Sequence, residues 1–237
     1  MEMQTAIITG ANRGIGLATA EALLNKGLHV GLVCRDISKA ETTAQSLIKK
    51  LHIDPKMATP LACDLTDQKS IDLMHEQIKK KLNNIDVLIN NAAVLLDKGE
   101  KLLSLNPDNF KKTFDTNFYG TYYLTSKIIR HMLERNNGKV IMISSGAGQL
   151  SQLIDDMPAY RLSKFSLNGL TKMLSSTLVG TNVQALACDP GWVETDMGGK
   201  NADRTATEAA NDIVELAISR DSNLNGHLFN SGKVIDW

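Results

Sequence analysis

The chain has 237 residues, of which 43% are hydrophobic and 22% charged, and its formal net charge is zero. That length suits one substantial α/β domain, 1–237, and falls short of two complete ones. Lysine and arginine are scattered rather than striped, which argues against a nucleic-acid or anionic-membrane partner and makes a small molecule the expected one.

Met1-Glu2-Met3 leads directly into strand-like Ala6-Ile7-Ile8, without the basic and apolar regions of a secretory signal. No apolar run approaches the length of a membrane span, so a soluble, cytoplasmic protein is expected. Cys34, Cys63 and Cys188 are far apart and set in apolar runs, which predicts buried reduced thiols. The five histidines share no paired spacing with cysteines or carboxylates, and no metal site is expected.

Apolar runs of strand length fall near 4–9, 28–34, 57–63, 86–90, 139–144, 183–188 and 227–230, with stretches of helical period between them. This alternation predicts βαβ units and a doubly wound α/β fold, a parallel sheet with helices on both faces. Pro60 predicts a third strand that starts only at Leu61 or lies at an edge.

The first strand runs into Thr9-Gly10-Ala11-Asn12-Arg13-Gly14-Ile15-Gly16, followed by an amphipathic helix ending at Gly27. A glycine turn feeding a helix N-terminus offers free N–H groups and the positive end of the dipole to a pyrophosphate. The other reading is a structural turn whose glycines pack helix on strand. At the end of the second strand, where an acidic residue would grip the ribose hydroxyls of NAD, stand Cys34 and Arg35. Two guanidinium groups, Arg13 and Arg35, suit a 2′-phosphate, so NADP is expected over NAD. Asp36 either reaches a ribose hydroxyl, caps a helix or forms an exposed pair.

Asn90-Asn91 reads by itself as a polar turn after Val87-Leu88-Ile89. A helical stretch from Asn109 to about Arg135 carries Asn117 among apolar residues, and a buried mid-helix Asn needs partners. After the run Val140-Ile141-Met142-Ile143 comes a loop with Ser145, while Ser144 reads as strand-end packing or a loop bond. Pro158-Ala159-Tyr160-Arg161-Leu162-Ser163-Lys164 opens the next helix, and its spacing stacks Tyr160 and Lys164 on one face. A phenol titrates near pH 10; lowering it by about three units takes roughly 4 kcal/mol, which a close ammonium is expected to supply. Tyr160 is then a general acid/base and Ser145 a hydrogen-bond partner of the same substrate oxygen.

Asp189-Pro190-Gly191 breaks the sixth strand at its carboxyl end, where doubly wound sheets bind ligands. The segment 191–204, with Gly198 and Gly199, has the composition of a mobile lid. Leu95, Leu96, Leu150, Leu153, Ile154, Met157 and Met197 are candidate pocket residues, suiting a mostly apolar ketone, aldehyde or quinone. Asp155 and Asp156 face solvent or meet a basic substrate. Trp237 shapes the pocket or packs on the sheet edge.

Several of these segments together resemble the short-chain dehydrogenase/reductase family over nearly the whole chain. They are Thr9-Gly10-x-x-x-Gly14-x-Gly16, Cys63-Asp64-Leu65, Asn90-Asn91-Ala92-Ala93 with Ala93 in place of the family's glycine, and Ser145, Tyr160 and Lys164 in order. Gly191-Trp192-Val193-x-Thr195-Asp196-Met197 and the ending Phe229-Asn230-Ser231-Gly232-Lys233 are most similar to the carbonyl-reductase branch. The resemblance implies a Rossmann-type sheet of seven parallel strands ordered 3-2-1-4-5-6-7. It implies that NADPH gives a hydride to a ketone or aldehyde, with Tyr160 as acid, Ser145 orienting the oxygen, Lys164 on the ribose hydroxyls and Asn117 maintaining a proton path. It implies cofactor contacts from Gly10, Asn12, Arg13, Gly14, Ile15, Gly16, Arg35, Asp64, Leu65, Asn91, Ala92, Tyr160, Lys164, Pro190, Gly191, Val193 and Thr195. The short connection from Ser145 to Tyr160 resembles compact members whose helix faces dimerise, so a homodimer or homotetramer is expected. Alternatives are a catalytically silent NADP-binding sensor or scaffold, and an NAD-linked alcohol dehydrogenase.

Overall fold

In the computed structural model, residues 3–82 and 84–237 are described; Met1 and Glu2, read above as the lead-in to the first strand, lie outside them. The apolar runs become β1 (Thr5–Thr9), β2 (His29–Cys34), β3 (Ala58–Ala62), β4 (Val87–Asn90), β5 (Gly138–Ile143), β6 (Val183–Cys188) and β7 (Leu228–Asn230). Between them stand α1 (Gly14–Asn25), α2 (Ile37–Leu51), α3 (Gln68–Lys81), α4 (Pro107–Phe114), α5 (Thr121–Glu134), α6 (Pro158–Thr177) and α7 (Ala206–Ile218).

The described strands form one sheet in the order β3-β2-β1-β4-β5-β6-β7-β8. The first seven are mutually parallel, as expected. The eighth, β8 (Lys233–Ile235), was not expected and pairs antiparallel with β7. Ser231 and Gly232 turn the chain with φ of 48° and 73°, the left-handed pair of a two-residue hairpin. The turn was not legible because serine is an unusual choice for its first position and the returning strand is only three residues long. β3 is an edge strand, and there Pro60, opposite Leu32, interrupts no second ladder.

Successive strand residues serve opposite faces. Ile8, Ile89 and Ile141 pack with Leu23 of α1, Leu47 of α2 and Ile213 of α7. Ile7, Leu88 and Val140 pack with Met74 of α3, Ile128 of α5 and Leu167 of α6. Burial on both faces explains why the strands read as continuous apolar runs. The three cysteines are buried and free, and burial pushes their thiols up to about 11, 12 and 12.

The expected helix from Asn109 to Arg135 starts earlier, at Pro107, where the Asn106 side chain accepts from the Asp108 N–H at 2.9 Å. Between α4 and α5 it widens into a π-helical segment, Asp115–Gly120. Gly120 lies so close to Leu65 that a Cβ would stand 2.0 Å from its carbonyl oxygen, so only glycine lets this helix pass the end of β3. The strand order reverses between β1 and β4, and the carboxyl ends of the strands there open onto the candidate site.

Candidate active site

A single cleft of about 1380 Å³ runs across the carboxyl ends of the strands. Every residue expected to act in catalysis or to hold the cofactor lines it except Asn117. At its centre the chain leaves β1 and turns through Gly10 (φ 69°) and Gly14 (φ 53°) into α1. A Cβ on Gly16 would lie 2.3 Å from the Gly10 carbonyl oxygen, and one on Gly10 would lie 3.1 Å from Ala92 Cα. Those two glycines are therefore required by the turn's own packing, as the structural reading anticipated. Arg13 is the N-cap of α1 and no side chain caps its first turn, so Gly14, Ile15 and Gly16 bring uncapped N–H groups to the cleft wall. This donor set fits the pyrophosphate of a dinucleotide.

Asn91 holds the turn to β4 and is more than a polar loop residue. Its Nδ2 donates to the Thr9 carbonyl at 2.8 Å and the Gly10 carbonyl at 3.3 Å, while Thr9 Oγ1 accepts from the Asn91 and Ala92 N–H groups at 3.0 Å. Asn90 is buried and donates to Thr125 Oγ1 at 2.9 Å.

At one end of the cleft stand Arg35, Asp36, Lys39, Asp64 and Leu65. Asp36 is the cap of α2, accepting from the Ser38 N–H and hydroxyl at 2.9 Å each. Its carboxylate is held below the ordinary range by those bonds and is occupied as the cap, while Arg35 and Lys39 also line this end. Lys39, in the first turn of α2, adds a cation that the sequence reading missed. Arg13 is not directed at Arg35 but ion-paired with the exposed Asp196.

At the other end, β5 delivers Ser145 and α6 delivers Tyr160 and Lys164. Ser145 Oγ accepts from the Ala147 N–H at 3.2 Å. Its loop is docked on α6, where Ser144 Oγ donates to Asn168 Oδ1 at 2.5 Å and Asn168 Nδ2 donates to the Gly148 carbonyl at 3.0 Å. Asn168, one turn beyond Lys164, was also missed, although the same spacing of four would have found it. Asn117 lies in the π-helical segment, behind the cleft wall. Its Oδ1 accepts from the Val94 N–H at 2.8 Å, and its Nδ2 donates to the Val94 carbonyl at 2.9 Å and Ser163 Oγ at 3.1 Å.

The electrostatics differ from the expectation that Lys164 lowers the phenol. Burial pushes the Tyr160 phenol up to about 12, against a lowering contact from Ser145 and with a further upward push from Asp189. Burial lowers Lys164 to about 8, with Asp189 partly restoring it. By the pH at which the phenol would ionise, the amine has already lost the charge with which to stabilise a phenolate. Asp189, 7% exposed, accepts from the Gly191 N–H and from Asn230 Nδ2 at 3.0 Å each. Nothing local in the sequence announces it, because its partner Asn230 lies beyond α7.

Segment 191–204 folds back over the glycine turn. Gly191 is left-handed (φ 77°), Arg204 donates to the Pro190 carbonyl at 2.8 Å and to Asp212 at 2.7 Å, and Val193 bridges to Arg204. Thr195 Cγ2 would lie 3.1 Å from a Cβ on Gly14, so the segment touches the turn directly.

Of the candidate pocket residues, Leu95, Met157 and Met197 line the cleft, and Leu96, Leu150, Leu153 and Ile154 do not. Leu150 and Ile154 are exposed. Asp155 is exposed and accepts from the Leu102 N–H at 2.7 Å, whereas Asp156 lines the cleft and pairs with Arg161 at 3.8 Å. Trp237 packs with the core on the α6 side of the sheet, with Lys172 6.0 Å from its ring centroid, and does not line the cleft.

Comparison with known proteins gives the same architecture. The chain is 29% identical over 213 residues to the 3-oxoacyl-[acyl-carrier-protein] reductase FabG of Thermotoga maritima, covering 90% of this chain and 83% of that protein. It superposes on the carbonyl reductase Sniffer of D. melanogaster with a TM-score of 0.89 at 27% identity, covering 100% of both chains. On the NADPH-bound carbonyl reductase from chicken fatty liver the TM-score is 0.86 at 26% identity, again over 100% of both. The family model for short chain dehydrogenases matches residues 4–206, and with the glycine turn, Ser145, Tyr160 and Lys164 on one cleft, this chain belongs to the short-chain dehydrogenase family.

Proposed function

We propose that the protein is an NADPH-dependent carbonyl reductase acting on a ketone or aldehyde. The observation that carries this reading is the continuity of one cleft from the cationic end at Arg35 and Lys39, past the glycine turn, to Ser145, Tyr160 and Lys164. Arg35 and Lys39 would hold a 2′-phosphate. The uncapped first turn of α1 would hold the pyrophosphate, Asp64 and Leu65 the adenine, and Pro190, Gly191, Val193 and Thr195 the nicotinamide end. Asn12, Ile15, Asn91 and Ala92 complete that wall.

When bound, the nicotinamide supplies the hydride. Tyr160 donates its phenolic proton to the carbonyl oxygen, and Ser145 donates a hydrogen bond that holds this oxygen in place. A phenol at about 12 keeps its proton at neutral pH, which suits an acid in reduction and opposes the reverse alcohol oxidation. Below pH 8 the ammonium of Lys164 is present to stabilise the phenolate as the proton leaves. Asn117, its side chain held by Val94 and Ser163, has its main chain fixed beside the proton path that the family likeness implies.

The reading extends to one domain, 1–237, whose segment 191–204 closes as a lid, in a cytoplasmic homodimer or homotetramer. The helices on the free face support the oligomer, because Tyr122 of α5 and Phe165 of α6 stand 45% and 38% exposed there. A monomeric mass by sedimentation at micromolar concentration would remove it. The test of function is a panel of ketones and aldehydes with NADPH and with NADH, read as loss of nicotinamide absorbance. Reduction by NADPH is expected, and a panel with no turnover in either direction would overturn the assignment in favour of a silent NADP sensor.

A further inference from the structure

Helix α6 carries both Tyr160 and Lys164, yet its own sequence gives it no cap. Met157, the N-cap, sits in the left-handed region (φ 49°, ψ 51°) and offers no side-chain acceptor. Pro158 follows and has no N–H, and the Arg161 N–H already bonds the Met157 carbonyl at 3.0 Å. Two orphan donors are left in the first turn, the N–H groups of Ala159 and Tyr160. Both go to one atom from a distant loop, Asp97 Oδ2, at 2.6 and 3.3 Å.

Asp97 is completely buried, and its second oxygen, Oδ1, has no hydrogen-bond partner. A buried polar atom left unpaired is costly, and a small apolar or hydroxyl residue at 97 would avoid that cost. The surroundings show what the arrangement achieves. Leu95 and Lys98, on either side of Asp97, line the cleft, so one short loop forms part of the pocket wall and fastens the peptide group of Tyr160 itself. Its acceptor also sits at the positive end of a twenty-residue helix.

We propose that Asp97 is a positioning residue, which caps α6 from outside the helix and thereby fixes where the Tyr160 hydroxyl meets the substrate oxygen. The inference rests on the carbonyl-reductase reading. Asp97 touches neither substrate nor cofactor in this scheme; it acts through the backbone of Tyr160. An acceptor oxygen is what the role requires, so Asn retains it and Ala removes it.

The test compares Asp97→Ala and Asp97→Asn with Lys139→Met, a destabilising control at the start of β5, whose amine holds the C-terminus of α7. Asp97→Ala is expected to lower kcat about tenfold or more while the Kd for NADPH, read by cofactor fluorescence in binary mixtures, changes less than about twofold. Asp97→Asn is expected to restore most of kcat, and Lys139→Met to lose several degrees of Tm with kcat intact. Hydrogen exchange gives a readout independent of turnover, since the Ala159 and Tyr160 amides should be protected in the wild type and in Asp97→Asn and exposed in Asp97→Ala. Normal kcat in Asp97→Ala, or an equal kcat loss in Lys139→Met, overturns the positioning role while leaving the reductase assignment standing. A wild type that reduces no carbonyl, with its two amides still protected, overturns the assignment and this role with it, leaving Asp97 a helix cap only.

Discussion

Lys164 donates through Nζ to the Ile143 carbonyl oxygen at 2.7 Å, and the same nitrogen stands 5.7 Å from the centroid of the Tyr160 ring. The amine is thus anchored on β5, 3% exposed, and shares its low-dielectric surroundings with the phenol. Burial drives both groups toward their neutral forms, and it acts in opposite directions on their pKa values. The group that changes charge near working pH is therefore the lysine.

That assigns the alkaline limb of the reduction rate. Lys164 is protonated below about 8 and neutral above it, whereas Tyr160 keeps its proton until about 12. kcat/KM for reduction should accordingly fall as pH rises through about 8, with a slope of one proton. The negative charge of Asp189 raises Lys164, so Asp189→Asn should move the limb to lower pH. A pH profile flat to 10 in the wild type, or an unmoved limb in the variant, would contradict the assignment.

Replacing Tyr160 by Phe keeps the ring and removes the proton. Turnover should drop by roughly 10²-fold or more with NADPH binding almost unchanged, measured by steady-state rates and cofactor fluorescence. Near-normal turnover would remove Tyr160 from its role as acid.

The cationic end of the cleft predicts cofactor choice. With Asp36 committed to capping α2, Arg35→Ala should weaken NADPH binding about tenfold or more, as expected for loss of a charge-assisted bond, and NADH binding far less. Lys39→Ala should act in the same direction and more weakly. Equal loss for the two cofactors, by titration, would refute the 2′-phosphate assignment.

Stability has a separate lever in Lys139, 6% exposed. Its Nζ donates to the carbonyls of Leu216 at 2.6 Å and Ser219 at 2.8 Å, closing the C-terminus of α7 from the sheet. Lys139→Met should cost about 1–3 kcal/mol in urea unfolding, because buried carbonyls lose their donor. Burial lowers this amine from 10.5 to about 8, so between those values the unfolded chain binds more protons than the folded one. The wild type therefore gains stability relative to the variant as pH rises from about 8 toward 10. A gap that narrows over that range would show the amine is not held as described.

The sequence by itself determined the alternation of strands and helices, because burial on both faces leaves apolar runs that composition cannot disguise. It also determined the order of Gly10, Ser145, Tyr160 and Lys164, since helical spacing is a local property, whereas for Pro60 it left a late strand start or an edge position, and the sheet order decided for the edge. The tertiary structure alone decided what depends on groups distant in the chain meeting in a dry place. Asp97 takes the orphan N–H groups of α6, Asp36 spends its carboxylate on a cap, a short eighth strand closes the sheet edge, and the balance between Tyr160 and Lys164 is set by burial rather than by their spacing. Spacing along a helix fixes which side chains are neighbours, but the free energy of their charges is fixed by the solvent they have lost, and that is known only once the whole chain has folded around them.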